Sequence, residues 1–313
     1  MYNKMPLVFS TEEYNYLRIR LLEISSNNIE DGLIEINHFP DGERYIRLIS
    51  SVADRDVVLI GGTISNDDTL EVFDLASAIV KYGAQSITIM IPYFGYSTME
   101  RAIKVGEVVT AKNRAVLLSA IPKSKYGNKV VLFDLHSEGI PHYFENDLQP
   151  IHLYCKEIVM EAAKELSNGN EFVLASTDAG RAKWVESLAN DLGVVAGFVF
   201  KRRTNAIETV VTSVSADVKG KHVIIYDDMI RTGGSLINAA KAYKSFGAKR
   251  ISVITTHGIF VGNVIEKLIE TGIIDKVICT DTHPNSLHVD DNKGFVVVKS
   301  VAKMMLNFIL PNQ

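Results

Sequence analysis

At 313 residues, 47% hydrophobic and 22% charged, the chain has the length of two ordinary domains and the composition of a globular protein, not of a disordered or fibrous one. Its formal net charge of −4 excludes the broad basic face of a nucleic-acid or anionic-membrane binder, so a phosphorylated ligand must be met by local cations and backbone amides. No apolar run reaches the roughly 20 residues of a membrane span, residues 1–22 contain no signal-peptide core, and Cys155 and Cys279 sit far apart in hydrophobic stretches, the pattern of two buried thiols in a reducing, cytoplasmic setting.

In chain order, β-branched runs over residues 57–60, 86–91 and 129–133 read as buried strands, with helical patterns over 69–82 and 111–121 between them. A helical pattern over 153–166 leads to a strand over 172–176 and a helix over 181–192. Strands over 222–226, 251–255 and 276–280 then alternate with helices over 235–246 and 263–271. Strands and helices alternating at these lengths imply βαβ units and mainly parallel sheets covered on both faces. Gly83, Gly193, Gly247 and Gly272 each follow a helical stretch, as helix-stopping glycines do. The plan occurs twice, dividing the chain into halves 1–150 and 151–313. Residues 201–220 alternate like strands without a helix and read as a β-hairpin or flap, a common carrier of catalytic groups.

One segment concentrates chemistry. A hydrophobic strand ends in Asp227 and Asp228, and the turn Arg231-Thr232-Gly233-Gly234-Ser235 opens a helix. The two carboxylates suit the hydroxyls of a sugar diol, and the amides at the positive end of the helix suit a phosphate. A Walker A loop is excluded, because no Gly-Lys-Ser/Thr follows.

This segment resembles the phosphoribosyl-binding loop of phosphoribosyltransferases and ribose-phosphate pyrophosphokinases. The remaining motifs choose between them. They are Phe39-Pro40-Asp41-Gly42-Glu43, Pro92-Tyr93-Phe94-Gly95-Tyr96 with Glu100-Arg101, Thr110-Ala111-Lys112, Asp134-Leu135-His136, Ser176-Thr177-Asp178, Lys201-Arg202-Arg203 and Thr256-His257-Gly258. Each is short, but together they run in the order of the ribose-phosphate pyrophosphokinase family over nearly the whole chain, and the chain resembles that family.

The resemblance implies an α/β fold of two type I phosphoribosyltransferase-like domains, each a mainly parallel sheet flanked by helices. It implies a Mg2+-dependent transfer of diphosphate from ATP to the anomeric hydroxyl of ribose 5-phosphate, giving PRPP and AMP. By position, Phe39 would lie beside adenine, with Asp41 and Glu43 accepting from the nucleotide of a neighbouring subunit. Met99 would pack on the base and Arg101 hold a phosphate. His136 and Asp178 would hold Mg2+, Lys201 and Arg202 would be catalytic, and Asp227, Asp228 and Arg231 to Ser235 would bind ribose phosphate. A homo-oligomer is implied, a dimer or a hexamer built from dimers, with neither nucleic acid nor membrane as partner.

Three departures from the family pattern stand out. Ser97-Thr98-Met99-Glu100-Arg101-Ala102 replaces a run whose Arg and Gln contact ATP, Arg231 stands where an Asp is usual, and Arg181 follows Asp178 where small residues are usual. Arg231 favours more negative charge at the 5′ end of the sugar, which keeps a larger acceptor such as ADP-ribose open. A catalytically silent regulatory subunit and a true phosphoribosyltransferase are the further alternatives.

Overall fold

The computed structural model describes residues 5–203, 209–289 and 294–311. Their elements group into two units, one comprising Met1–Tyr154 with Ala302–Gln313 and the other Cys155–Val301.

The first unit contains β1 (Leu7–Ser10), α1 (Asn15–Ile24), β2 (Glu30–Asp31), β3 (Ile34–His38), β4 (Arg44–Leu48), β5 (Asp56–Ile60), α2 (Asn66–Lys81), β6 (Ser86–Ile91), α3 (Thr110–Ser119), β7 (Asn128–Phe133) and β8 (Leu148–Leu153). Its six-stranded sheet has the order β2-β1-β5-β6-β7-β8, with every neighbouring pair parallel. The antiparallel hairpin β3–β4 is inserted between the second and third sheet strands.

The second unit contains α4 (Lys156–Ser167), β9 (Phe172–Ser176), α5 (Ala182–Leu192), β10 (Val195–Gly197), β11 (Val199–Arg203), β12 (Thr209–Val214), β13 (His222–Ile230), α6 (Gly234–Ser245), β14 (Arg250–Gly258), α7 (Val264–Glu270), β15 (Lys276–Thr280) and β16 (Val296–Lys299). Its sheet order, β10-β9-β13-β14-β15-β16, is again parallel throughout. The hairpin β11–β12 is inserted at the same point of the plan. Both units therefore repeat one topology, the doubly wound parallel α/β arrangement anticipated from the alternation of elements. The last helix, α8 (Ala302–Ile309), packs on α1 and belongs to the first unit.

Strand pleating explains the cores. On β13, Val223 and Ile225 point to the face covered by Leu236, Ala239, Ala240 and Tyr243 of α6. Ile224 and Tyr226 point to the opposite face, covered by Val159, Ala162 and Ala163 of α4 and by Val185 and Leu188 of α5. A strand buried on both faces must be apolar at consecutive positions, which is why the run was readable in sequence.

Among the boundaries that differ from the sequence reading, three have a clear local reason. β13 continues past Asp227 and Asp228, because Asp227, Met229 and Ile230 go on pairing with Thr255, His257 and Gly258 of β14. α2 begins at Asn66 instead of residue 69, because the Ser65 side chain accepts a hydrogen bond from the Asp68 amide and caps the helix there. Residues 151–153 complete β8, and α8 joins α1, so both fall in the first unit and not in a 151–313 half. Pro150 lies within β8, tolerated because β8 is an edge strand. Cys155 and Cys279 are both buried and free. Among the described residues no helix is long and apolar enough to cross a membrane.

Candidate active site

In each sheet the strand order reverses after the first strand, between β1 and β5 and between β9 and β13. Ligands of open parallel sheets bind outside the carboxyl ends of the strands at such a reversal. In the second unit that position holds Ser176, the last residue of β9, and Thr177 and Asp178 just after it, beside Asp227 and Asp228 on the paired strand β13.

These groups are interlinked. Ser176 Oγ donates to the carbonyl of Asp178 at 2.6 Å, and Asp178 Oδ1 accepts from the Gly180 amide at 2.8 Å. Thr177 Oγ1 donates to Asp227 Oδ2 at 3.1 Å. The Asp228 amide donates to Asp227 Oδ1 at 3.1 Å. Arg181, which closes the short turn Ala179–Arg181, places Nη2 2.7 Å from Asp228 Oδ2. Tyr243 on α6 donates its hydroxyl to the Ser176 carbonyl at 2.9 Å, tying the end of β9 to the helix behind it.

The two adjacent acids are thus not equivalent. Asp228 is 2% exposed and balanced by a guanidinium, and burial of Arg181 is outweighed by Asp228, which holds the Arg181 charge above its usual strength. Asp227 is pushed up to about 7, first by burial and then by the like charge of Asp228.

The strand runs on into the cradle. Arg231, Thr232, Gly234 and Ser235 are exposed, and α6 starts at Gly234. Gly233 caps it at φ +74°, where an added Cβ would lie 2.8 Å from a Val264 methyl. Only glycine meets both conditions. The loop's outer wall is held by the Ile259 and Phe260 amides on the Ile230 carbonyl and by the Val261 amide on that of Arg231, at 2.9–3.1 Å. Asp178, Asp227, Asp228 and the 231–235 loop are therefore brought to one place. The backbone of Lys201 and Arg202 lies on β11, and their side chains lie outside the described residues.

The first unit carries the other expected positions on three separate segments. The hairpin β3–β4 ends in Phe39 to Glu43, closed by the Phe39 amide on Glu43 O at 2.8 Å, the Gly42 amide on Phe39 O at 2.9 Å and the Glu43 amide on Asp41 Oδ1 at 3.1 Å. Phe39 is 52% exposed and lies edge-on to Tyr45. Met99 and Arg101 follow β6 on an exposed loop, Arg101 3.3 Å from Glu100. His136 is exposed just beyond β7, where Asp134 turns the chain at φ +35°. Sequence reading noted Arg181 as a departure but assigned it no part in the site, named Thr177 only as the middle of the Ser176-Thr177-Asp178 motif, and missed Tyr243. The one available signal for Arg181 was a cation where the turn after Asp178 is usually small.

Residues 7–121 match the family model described as the N-terminal domain of ribose phosphate pyrophosphokinase, and residues 199–306 match the phosphoribosyl synthetase-associated domain. Among curated proteins, the chain is 34% identical over 268 residues to ribose-phosphate pyrophosphokinase of Chlorobaculum tepidum, covering 85% of this chain and 78% of that one. It is 32% identical over 311 residues to the Prochlorococcus marinus ribose-phosphate pyrophosphokinase, covering 93% and 90%. The crystal structure of phosphoribosylpyrophosphate synthetase from Mycobacterium smegmatis is similar with a TM-score of 0.84 at 25% identity, covering 98% of both chains.

Proposed function

Because the chain belongs to the ribose-phosphate pyrophosphokinase family, we propose that it transfers the β,γ-diphosphate of ATP to the anomeric hydroxyl of ribose 5-phosphate, forming PRPP and AMP. The observation that carries this is the continuous path from Asp227 and Asp228 on β13 into the Gly233-capped cradle of α6. Acids for ribose hydroxyls and amides for a 5′-phosphate stand there in the order of the ligand itself.

The anomeric oxygen attacks the β-phosphorus, the bond to the α-phosphate oxygen breaks, and AMP leaves. The protein's task is alignment and neutralisation of spreading negative charge. In this reading Lys201 and Arg202 of β11 supply positive charge to the transferred group, and Arg231 to Ser235 hold the acceptor's phosphate. The donor set also suits Mg2+. Among the described residues no three His, Cys, Asp or Glu side chains form a closed metal cage, but Mg2+ takes one or two carboxylates plus substrate phosphates and waters. Asp178 and His136 are the positions proposed to hold it, each within its own unit. When bound it would supply Lewis-acid charge to the phosphates. Phe39, Asp41, Glu43, Met99 and Arg101 would bind the nucleotide. The active form would be a homo-oligomer whose hairpin residues serve a neighbouring subunit, and a cytoplasmic setting suits the two free thiols.

The test is product identity. Protein, Mg2+, ATP and ribose 5-phosphate should yield AMP by chromatography, and ADP as the nucleotide product would sink the reading. Lys201→Ala should lower kcat by about two to three decades with acceptor binding nearly unchanged. A second acceptor reading rests on Arg231, exposed on the cradle: a larger 5′ substituent, as in ADP-ribose, would use its charge. Arg231→Asp should then move the ratio of kcat/KM toward ribose 5-phosphate by roughly one to two decades. An unchanged ratio removes Arg231 from acceptor selection.

A further inference from the structure

The turn after β9 touches both acids of β13. Thr177 gives its hydroxyl to Asp227, and four residues on Arg181 gives its guanidinium to Asp228. Between them, Asp178 accepts the Gly180 amide and fixes the turn that swings Arg181 across. Arg181 is itself largely enclosed, its side chain 20% exposed against 3% for that of Asp228, so the pair is not a surface contact that side-chain motion would dissolve. A guanidinium is always charged, presents its donors in a fixed fork, and cannot leave the protein.

Carboxylates gathered at the end of a strand otherwise attract a divalent cation, which prefers such oxygen ligands. We propose that Arg181 is the fixed counter-cation of the acid pair, occupying the place beside Asp228 that a dissociable divalent ion would take. The acceptor half of the site then works without a metal ion of its own, and the metal requirement is confined to the nucleotide's phosphates. Arg181 is in this sense a positioning residue. It orients Asp228 and keeps a fixed positive charge beside it whether or not metal is abundant. The proposal rests on the reading of these acids as the acceptor's ribose site, but its ion-binding content does not need that reading.

Titration of Mn2+ into the intact protein, without nucleotide or acceptor, tests it through the paramagnetic signal of free Mn2+. Wild type should show no ion bound at these acids. Arg181→Gln, close in shape but neutral, and Arg181→Ala should each gain one Mn2+ site at least tenfold tighter than any in wild type. Adding Asp228→Asn to either should abolish the gain, and Arg181→Lys, which keeps the charge, should not show it. Circular dichroism confirms folding, and the glutamine variant carries the test if the alanine variant unfolds. Equal Mn2+ binding in wild type and Arg181→Gln would overturn the proposal, as would a wild-type site that Asp228→Asn removes. Since neither substrate is present, failure of the diphosphokinase assay leaves this result intact, and the reverse also holds.

Discussion

Asp227 and Asp228 are neighbours in sequence and of one charge, yet their surroundings treat them oppositely. Asp228 has Arg181 at 2.7 Å, while Asp227 is bonded to a hydroxyl and an amide, and burial and Asp228 push it up to about 7. Near neutral pH Asp227 is therefore partly protonated in the free protein, and acceptor KM should fall as pH rises through 7. Asp227→Asn should lose that dependence, and a KM in wild type that is flat from pH 6 to 8 would count against this account. The stability consequence has a definite sign. The folded carboxyl keeps its proton to about 7 and the unfolded one to about 4, so its stabilising contribution is present at low pH and is lost as pH rises through 7. His222 acts the other way. Burial, then the charge of Arg250, lowers it to about 4, with its Nε2 3.0 Å from Ser252 Oγ. The unfolded state takes up a proton below about 6.5 and the folded state does not. Stability should thus fall between pH 6.5 and 4, and His222→Gln should flatten that part of the Tm profile. His283, lowered to about 4 by burial and by His257, adds to the same slope.

At the scale of elements, the two units show how one plan yields one acid site. β1 ends in Ser10-Thr11-Glu12, as β9 ends in Ser176-Thr177-Asp178, and the hairpins β3–β4 and β11–β12 occupy matching places. The strands across the reversal differ. β13 carries Asp227 and Asp228, while β5 leads into Gly61 and Gly62. There an added Cβ would lie 2.5 Å from Val72 and 2.4 Å from the Tyr14 ring, respectively. The first unit has filled with a buried aromatic the place that the second leaves to carboxylates. Gly62→Ala should accordingly destabilise the protein by about 1–3 kcal/mol, read from urea unfolding, because a fully buried Tyr14 cannot give way. Much of this architecture was legible. Strands 86–91, 172–176 and 276–280 agree with the sequence reading to the residue, since consecutive β-branched residues have few other uses. β1, β2 and β16, of two to four residues, are too short to carry a period, and a proline disguised β8. The acid pair and its cradle were legible because they are contiguous in the chain. Arg181 was not, because a cation in a turn acquires meaning only when folding lays it against a distant strand.

For the molecule as a whole, the point of note is where α8 goes. The second unit occupies Cys155–Val301, and after it the chain returns to the first, where Ala302 and Met305 are buried and α8 packs on α1 beside the buried Leu17 and Leu21. In chain order the second unit is thus a guest inserted into the first. During synthesis on the ribosome, which releases the chain from its N-terminal end, the guest has all its strands before the host receives its closing helix. The host sheet must then wait with the outer side of α1 uncovered until residue 302 and beyond emerge. A chain stopped before Ala302 should therefore weaken the unit made first, not the one made last. Amide hydrogen exchange on such a truncation should show protection lost in α1 and β1, with β13 and β14 still slow, so that a late part of the message secures an early part of the fold.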